Sequence, residues 1–258
     1  MSRAVVLAGG LGMRLRPYTA VLPKPLMPIG DRPVLDIVVR QLRHYGFERA
    51  TIATGYLAEL IEAFFRDGRH YDIPIDYFRE QTPLGTVGAL GLIKDLDTDF
   101  LVMNGDVLTD LDYAALLERH RESGAICTIA GVRRSVQISL GVLRATDPLD
   151  PNRLTAFDEK PSLEYEASMG VYAFSPRVRD FIEPGEHLDF PSLLSRLLEA
   201  GEPVNIHRCD CYWLDIGQHD DYEQAQEEFE RKRDVLIPPE PEAVPAEVIA
   251  LRRRAARD

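Results

Sequence analysis

Three glycines and an arginine, Gly9-Gly10-Leu11-Gly12-Met13-Arg14-Leu15, follow directly on the apolar stretch Val5-Val6-Leu7-Ala8. Glycines let backbone amides approach a phosphate closely and a guanidinium adds a charged fork, so the segment suits a phosphate loop. It fits neither of two common ones. A dinucleotide fingerprint starting at Gly10 would need glycine where Leu15 stands, and no Gly-Lys dipeptide exists for a Walker A motif. Taken alone, the segment would serve equally as an ordinary strand-to-helix turn. Beyond Arg16-Pro17 and Thr19, however, Pro23-Lys24-Pro25-Leu26-Met27-Pro28 fixes a lysine between two prolines, where neither helix interior nor inner strand is permitted. A cation on a rigid loop suits a phosphate partner.

Two carboxylates stand out by the apolar runs that precede them. Asn104-Gly105-Asp106 follows the apolar run Phe100-Leu101-Val102-Met103, which places Asp106 at the carboxyl end of a strand as a candidate Mg²⁺ ligand, or as a plain Asx turn-former. Asp215 ends Tyr212-Trp213-Leu214-Asp215, where a buried acid needs a partner. Phe157-Asp158-Glu159-Lys160-Pro161 looks, on its own, like a charged turn.

The elements that must carry these side chains alternate. Val5 to Leu7 is a central strand, and a helix opens near Asp31 and Pro33, carries Leu35, Val38, Leu42 and Tyr45, and stops at Gly46. Thr51 to Thr54 and Ile75 to Phe78 are strands; Leu57, Leu60, Ile61 and Phe64 mark a helix face between them. Thr86 to Lys94 is predicted helical, Phe100 to Met103 a buried strand, and Tyr113, Leu116 and Leu117 a helix face behind the capping residues Asp110 and Asp112. Short strands are expected at Ile126 to Val132, Gly141 to Arg144 and Val171 to Phe174. The prediction is an α/β fold, a doubly wound, mostly parallel sheet with a small added β region over the acceptor site. One domain is expected over residues 1–236, followed by a proline-rich, basic tail over 237–258 that includes Pro238, Pro239, Pro241, Pro245 and Arg252 to Arg254.

A formal net charge of −12 disfavours nucleic acid and anionic membrane as partners, though a local basic cleft still admits a small phosphorylated substrate. Cys127, Cys209 and Cys211 are too few for a disulfide framework and are expected to be packing residues in a reducing, cytoplasmic compartment. A lone C-x-C is a poor zinc signal. No stretch is long and apolar enough to span a bilayer, and the N-terminal apolar run is too short for a signal-peptide core.

From Gly9 to Pro25 the chain carries G-G-x-G-x-R-L-x-P-x-T…P-K-P and thereby resembles the sugar-1-phosphate nucleotidyltransferases, over roughly the first 230 residues. Met13 departs from the family's threonine or serine. The resemblance implies a Rossmann-like nucleotidyltransferase fold and transfer of a nucleotidyl group from a nucleoside triphosphate to a sugar 1-phosphate, with Mg²⁺ and release of pyrophosphate. It implies nucleotide contacts from Leu7, Gly9, Gly10, Gly12, Glu80, Gly85 and Thr86, and charge stabilisation by Arg14 and Lys24. Asp106 and Asp215 would share one metal. The sugar phosphate would meet Asn104, Gly141, Glu159, Lys160 and Ser168, where Glu159-Lys160-Pro161 matches an E-K-P motif. Leu140 replaces the usual tyrosine before Gly141, and Ser168 the usual asparagine.

The segment Glu80-Gln81-Thr82-Pro83-Leu84-Gly85-Thr86 is closest in wording to mannose-1-phosphate guanylyltransferase-like members. A carboxylate at position 80 accepts from the adjacent N1–H and N2–H₂ of guanine, which favours GTP; if Gln81 read the base instead, UTP or dTTP would serve, with glucose 1-phosphate as acceptor. Mannose or a manno-configured heptose is the expected sugar. A glycosyltransferase using Asp110-Leu111-Asp112, and a non-catalytic nucleotide-sugar-binding regulatory subunit, are the rivals; the complete set Arg14, Lys24, Asp106, Lys160 and Asp215 speaks for turnover. The oligomeric state is open, a homo-oligomer included.

Overall fold

The computed structural model describes residues 2–146 and 148–239. Its central sheet has seven strands: β1 (Arg3–Ala8), β2 (Arg49–Thr54), β3 (Ile75–Arg79), β4 (Phe100–Asn104), β5 (Cys127–Gln137), β6 (Ser162–Phe174) and β7 (Val204–Cys209), in the order β7-β5-β6-β4-β1-β2-β3. β1 pairs in parallel with both β2 and β4, setting Val6 beside Ile52 and Met103. β6 runs antiparallel to its neighbours β4 and β5, and β7 is parallel to β5. The sheet is thus mixed, with one reversed strand in a parallel frame.

Period-two alternation explains the layers. Val6, Ile52, Leu101 and Met103 face one side, where Leu35, Val38 and Leu42 of α1 (Val34–His44) and Tyr113 and Leu116 of α3 (Tyr113–Ser123) cover them. Val5, Ala53, Phe100 and Val102 face the other, against Leu193 and Leu197 of α4 (Phe190–Glu199) and the segment Leu84 to Leu90. α2 (Ala58–Phe65) lies between β2 and β3, and α5 (His219–Leu236) closes a third cluster through Phe229, Leu15, Ile29 and Leu214.

Several expectations need correction. In α2 the buried residues are Ala58, Ile61 and Phe65, while Leu60 and Phe64 are exposed, and Leu57 precedes the helix in a left-handed conformation. Thr86 to Lys94 holds only a short 3₁₀ turn, Gly88–Gly91. The physical reason is packing: Val87 and Gly88 both donate to Leu188 O, and a Cβ on Gly88 would meet Glu186 O at 2.4 Å, so the segment is stitched to a neighbour instead of coiling on itself. β5 and β6 are long, extending beyond the sheet as a two-stranded arm that carries the hairpin of Val142–Arg144 and Ala156–Asp158. Asp112 caps α3 by accepting from Ala115 N, but Asp110 instead accepts from Tyr212 N. Cys209 and Cys211 pack on the core beside Met169, as expected of packing residues, and are joined by a disulfide, which the sequence argument had disfavoured; Cys127 is free and buried. No described helix is long and apolar enough to cross a membrane. Most of the proline-rich tail, 240–258, lies outside the described residues.

Candidate active site

The site lies at the carboxyl ends of the parallel strands, where a doubly wound sheet leaves its crevice. β1 runs out at Ala8, and the loop from Gly9 to Lys24 advances in three short 3₁₀ turns, Met13–Leu15, Tyr18–Ala20 and Lys24–Leu26. Gly12 sits at φ 59°, and a Cβ there would come within 3.0 Å of Thr19 Cγ2. Thr19 Oγ1 in turn donates to Gly12 O at 2.8 Å, closing the loop on itself. The expectation of a glycine-dependent loop has a steric cause at this position.

Asp106 and Asp215 meet through strand pairing. The short strand Val107–Thr109 pairs antiparallel with Trp213–Asp215, setting Asp215 opposite Val107, and Ile216 N donates to Asp106 O at 3.2 Å. Lys24 Nζ forms an ion pair with Asp106 Oδ2 and stands 3.9 Å from Asp215 Oδ1. Burial, and then the Asp106 charge, push the Asp215 carboxyl above its ordinary range, against the pull of Lys24 and Arg14. Asp106 Oδ1 is buried without a hydrogen-bond partner. Arg14 lies over Gly217, where a Cβ would stand 3.5 Å from its Nη2.

Two abutting cavities flank the carboxylates. One, of about 640 Å³, is lined by Leu7, Gly9, Gly10, Glu80, Gly85 and Asp106, with Tyr56 and Asp189 among the rest of its wall. Glu80 is half-buried, its Oε2 accepts from Leu84 N at 3.1 Å, and burial raises its carboxyl above the usual range. The other cavity, of about 450 Å³, is lined by Ser168, Tyr172, Trp213 and Asp215. Thr86, Asn104 and Asp189 belong to both, so they mark the seam. Asn104 Nδ2 is tucked under Gly170, where a Cβ would meet it at 2.6 Å at a φ of 72°. Trp213 Nε1 donates to Met169 O at 2.8 Å, which fixes the indole in the wall.

Gly141, Glu159 and Lys160 stand elsewhere. They group on the β arm, where a Cβ on Gly141 would come within 3.4 Å of Glu159 Oε2, and all three are exposed and absent from the described lining of both cavities. Conversely, sequence reasoning did not single out Tyr56, Asp189 or, as a wall, Trp213. Trp213 had a signal, since it precedes Asp215 in the same strand; Tyr56 and Asp189 had none, because only chain crossings bring them in.

The nucleotidyl transferase family model matches residues 3–232, and the chain belongs to that family. It is 37% identical over 243 residues to a UTP–glucose-1-phosphate uridylyltransferase of Synechocystis, covering 86% of this chain and 62% of that one, so it spans less than two thirds of that relative. It is 32% identical over 230 residues to a D-glycero-alpha-D-manno-heptose 1-phosphate guanylyltransferase of Aneurinibacillus thermoaerophilus, covering 88% of this chain and 98% of that one. Among solved structures, HddC from Yersinia pseudotuberculosis complexed with GMP-PN superposes with a TM-score of 0.68 at 26% identity, over 89% of this chain and all of that one.

Proposed function

We propose that the protein transfers a nucleotidyl group from a nucleoside triphosphate, GTP by preference, to a sugar 1-phosphate of the mannose or manno-heptose type, releasing pyrophosphate. The observation that carries this reading is the pair Asp106 and Asp215, held around Lys24 at the seam of two cavities, each large enough for one substrate. Glu80 in the first cavity presents a carboxylate with no donor of its own, complementary to the two adjacent donors of guanine. The similarity to a heptose guanylyltransferase along nearly its whole length supports the same choice.

The chemistry requires a sugar-phosphate oxygen to attack the α-phosphorus in line while the bond to the leaving pyrophosphate breaks. That oxygen is already anionic, so positioning and charge neutralisation matter more than a proton acceptor. Lys24 and Arg14 supply fixed positive charge beside the carboxylate pair, where the reacting phosphates would lie, and Asn104 offers an amide at the seam. Asp106 and Asp215 would hold Mg²⁺. The residues fit it: both are hard oxygen donors, Asp106 Oδ1 is a buried acceptor without a partner, and Mg²⁺ commonly takes one or two carboxylates with substrate phosphates and water completing its shell. When bound, the ion supplies neutralisation of charge shared between the two substrates' phosphates. The family resemblance assigns Lys160 to the sugar phosphate, a role it would take up from the arm, outside the described lining of both cavities. A cytoplasmic location, where nucleoside triphosphates are abundant, suits the reading.

The test is pyrophosphate release with Mg²⁺ from GTP, dTTP, UTP, CTP and ATP, each against hexose and heptose 1-phosphates, with Asp106→Asn as control. Sugar-phosphate-dependent release that fails in the variant supports the reading and names both substrates. The Synechocystis relative favours UTP with glucose 1-phosphate as the second reading, and the same panel separates the two. Nucleotide binding without release from any pair would point instead to a regulatory subunit.

A further inference from the structure

The phosphate loop has little regular structure to hold it, yet its cations must be placed to within fractions of an ångström. Side chains from outside the loop supply the hold. β1 and β2 end side by side, so close that a Cβ on Gly55 would stand 2.8 Å from Gly9 O and 3.2 Å from Gly9 Cα. Tyr56 follows immediately. Its amide donates to Gly9 O at 3.3 Å, and its hydroxyl reaches across the loop to donate to Ala20 O at 3.1 Å. Ala20 ends the middle 3₁₀ turn, between the turn carrying Arg14 and the turn carrying Lys24. On the loop's other flank His219 Nε2 lies 3.0 Å from Arg16 O.

Tyr56 also lines the first cavity, beside Gly9, Gly10 and Leu11 and in company with Glu80 and Gln81. An aromatic ring there offers a flat apolar wall to a base or ribose, and a tyrosine keeps its polar end for a hydrogen bond elsewhere. We propose that Tyr56 is a nucleotide-positioning residue with two separable jobs: its ring walls the nucleoside part of the cavity, and its hydroxyl pins the phosphate loop at Ala20 so that Arg14 and Lys24 face the triphosphate. The proposal rests on the nucleotidyltransferase reading for the identity of the ligand.

Two substitutions divide the jobs. Tyr56→Phe removes only the hydroxyl; Tyr56→Leu removes the aromatic face as well. The readouts are kcat and KM for the triphosphate at saturating sugar 1-phosphate, and direct calorimetric binding of a non-hydrolysable triphosphate analogue without sugar. Losing one hydrogen bond that positions the cations lowers kcat in Tyr56→Phe about three- to tenfold, while affinity for the analogue stays within about twofold of wild type. Tyr56→Leu adds a loss of analogue affinity of about five- to tenfold. Wild-type kcat in Tyr56→Phe overturns the pinning role, and wild-type affinity in Tyr56→Leu overturns the wall. Equal losses in both variants, matched by equal falls in melting temperature, show a merely structural tyrosine and overturn both. If wild type binds the analogue but releases no pyrophosphate from any pair, the enzymatic reading fails, and the binding arm still decides the role of the ring.

Discussion

Glu80→Gln is the substitution that most directly asks how the base is chosen. The Glu80 backbone is anchored, its amide donating to Thr54 O at 2.9 Å, and its Oε2 accepts from Leu84 N at 3.1 Å, so the side chain's position is set from both ends. A Cβ on Gly9 would come within 3.3 Å of Oε1, which places the second oxygen against the start of the phosphate loop. A carboxamide of the same shape keeps one acceptor and puts an N–H₂ where guanine also presents donors. The loss is one hydrogen bond to a charged group, about 1.5–3 kcal/mol, or about ten- to 150-fold in kcat/KM for GTP. UTP and dTTP, with an N–H flanked by carbonyls, match an amide better than a carboxylate, so the GTP:UTP ratio of kcat/KM falls by more than the GTP loss alone. Pyrophosphate release measured with both triphosphates gives the ratio, and an unchanged melting temperature confirms that the fold is intact. Because burial raises the Glu80 carboxyl, a preference for GTP that rests on this carboxylate would also weaken as pH falls through that raised value, and the amide variant would lack this dependence. A variant with the wild-type GTP:UTP ratio would refute the argument and move base reading to Gln81.

Three further outcomes follow from particular contacts. Gly55→Ala forces a methyl group to 2.8 Å from a backbone oxygen at the root of the phosphate loop, so we expect a loss of about 1–3 kcal/mol in stability together with lowered kcat; wild-type values of both would show that the two strand ends separate freely. His120 is buried, its Nδ1 2.8 Å from Thr128 Oγ1, and burial lowers its pKa. The unfolded chain therefore takes up the proton first: the stability due to neutral His120 is complete above about pH 6.5 and is lost as pH falls from there through the folded value. Thermal melts from pH 7.5 to 5 should show a smaller fall for His120→Gln, and parallel curves would contradict this. The raised Asp215 carboxyl must be ionised to hold a cation, so the acid limb of kcat/KM lies above the ordinary aspartate range and moves to lower pH as Mg²⁺ is increased; a limb indifferent to Mg²⁺ would detach Asp215 from the metal.

The parts of the fold that were legible in the sequence depend on near neighbours. Val5, Val6 and Leu7 announce a strand buried on both faces, and both faces of β1 are covered. α1 has its proline entry at Pro33 and its left-handed glycine at Gly46, and it begins and ends between them. The phosphate-loop motif is a local run as well, since Gly12 and Thr19 hydrogen-bond to each other. Where local pattern and tertiary packing disagreed, packing prevailed: Leu60 and Phe64 are apolar at helical spacing and yet face outward, and Thr86 to Lys94 gives up helix for hydrogen bonds to Leu188.

The remainder of the site was hidden because its defining contacts join residues far apart in the chain. Thr86 N donates to Asp189 Oδ1 and Phe190 N to Thr86 Oγ1, across about a hundred residues, so the two segments that meet at the seam of the cavities are bound into one unit. Asp189 stands where an N-cap side chain would close α4, but it makes no such bond and turns to Thr86 instead; a sequence argument would assign it to the helix. The same holds for the carboxylate pair, since nothing near Asp106 in sequence foretells that the strand after it will pair with the strand ending at Asp215. It was the type of residue at each position that the motifs specified, while its distance from the others was set by strand order. That division also explains the arm: Gly141, Glu159 and Lys160 were expected at the sugar phosphate with Asn104 and Ser168, but they group on the arm, and their place relative to the cavities depends on where β5 and β6 leave the sheet.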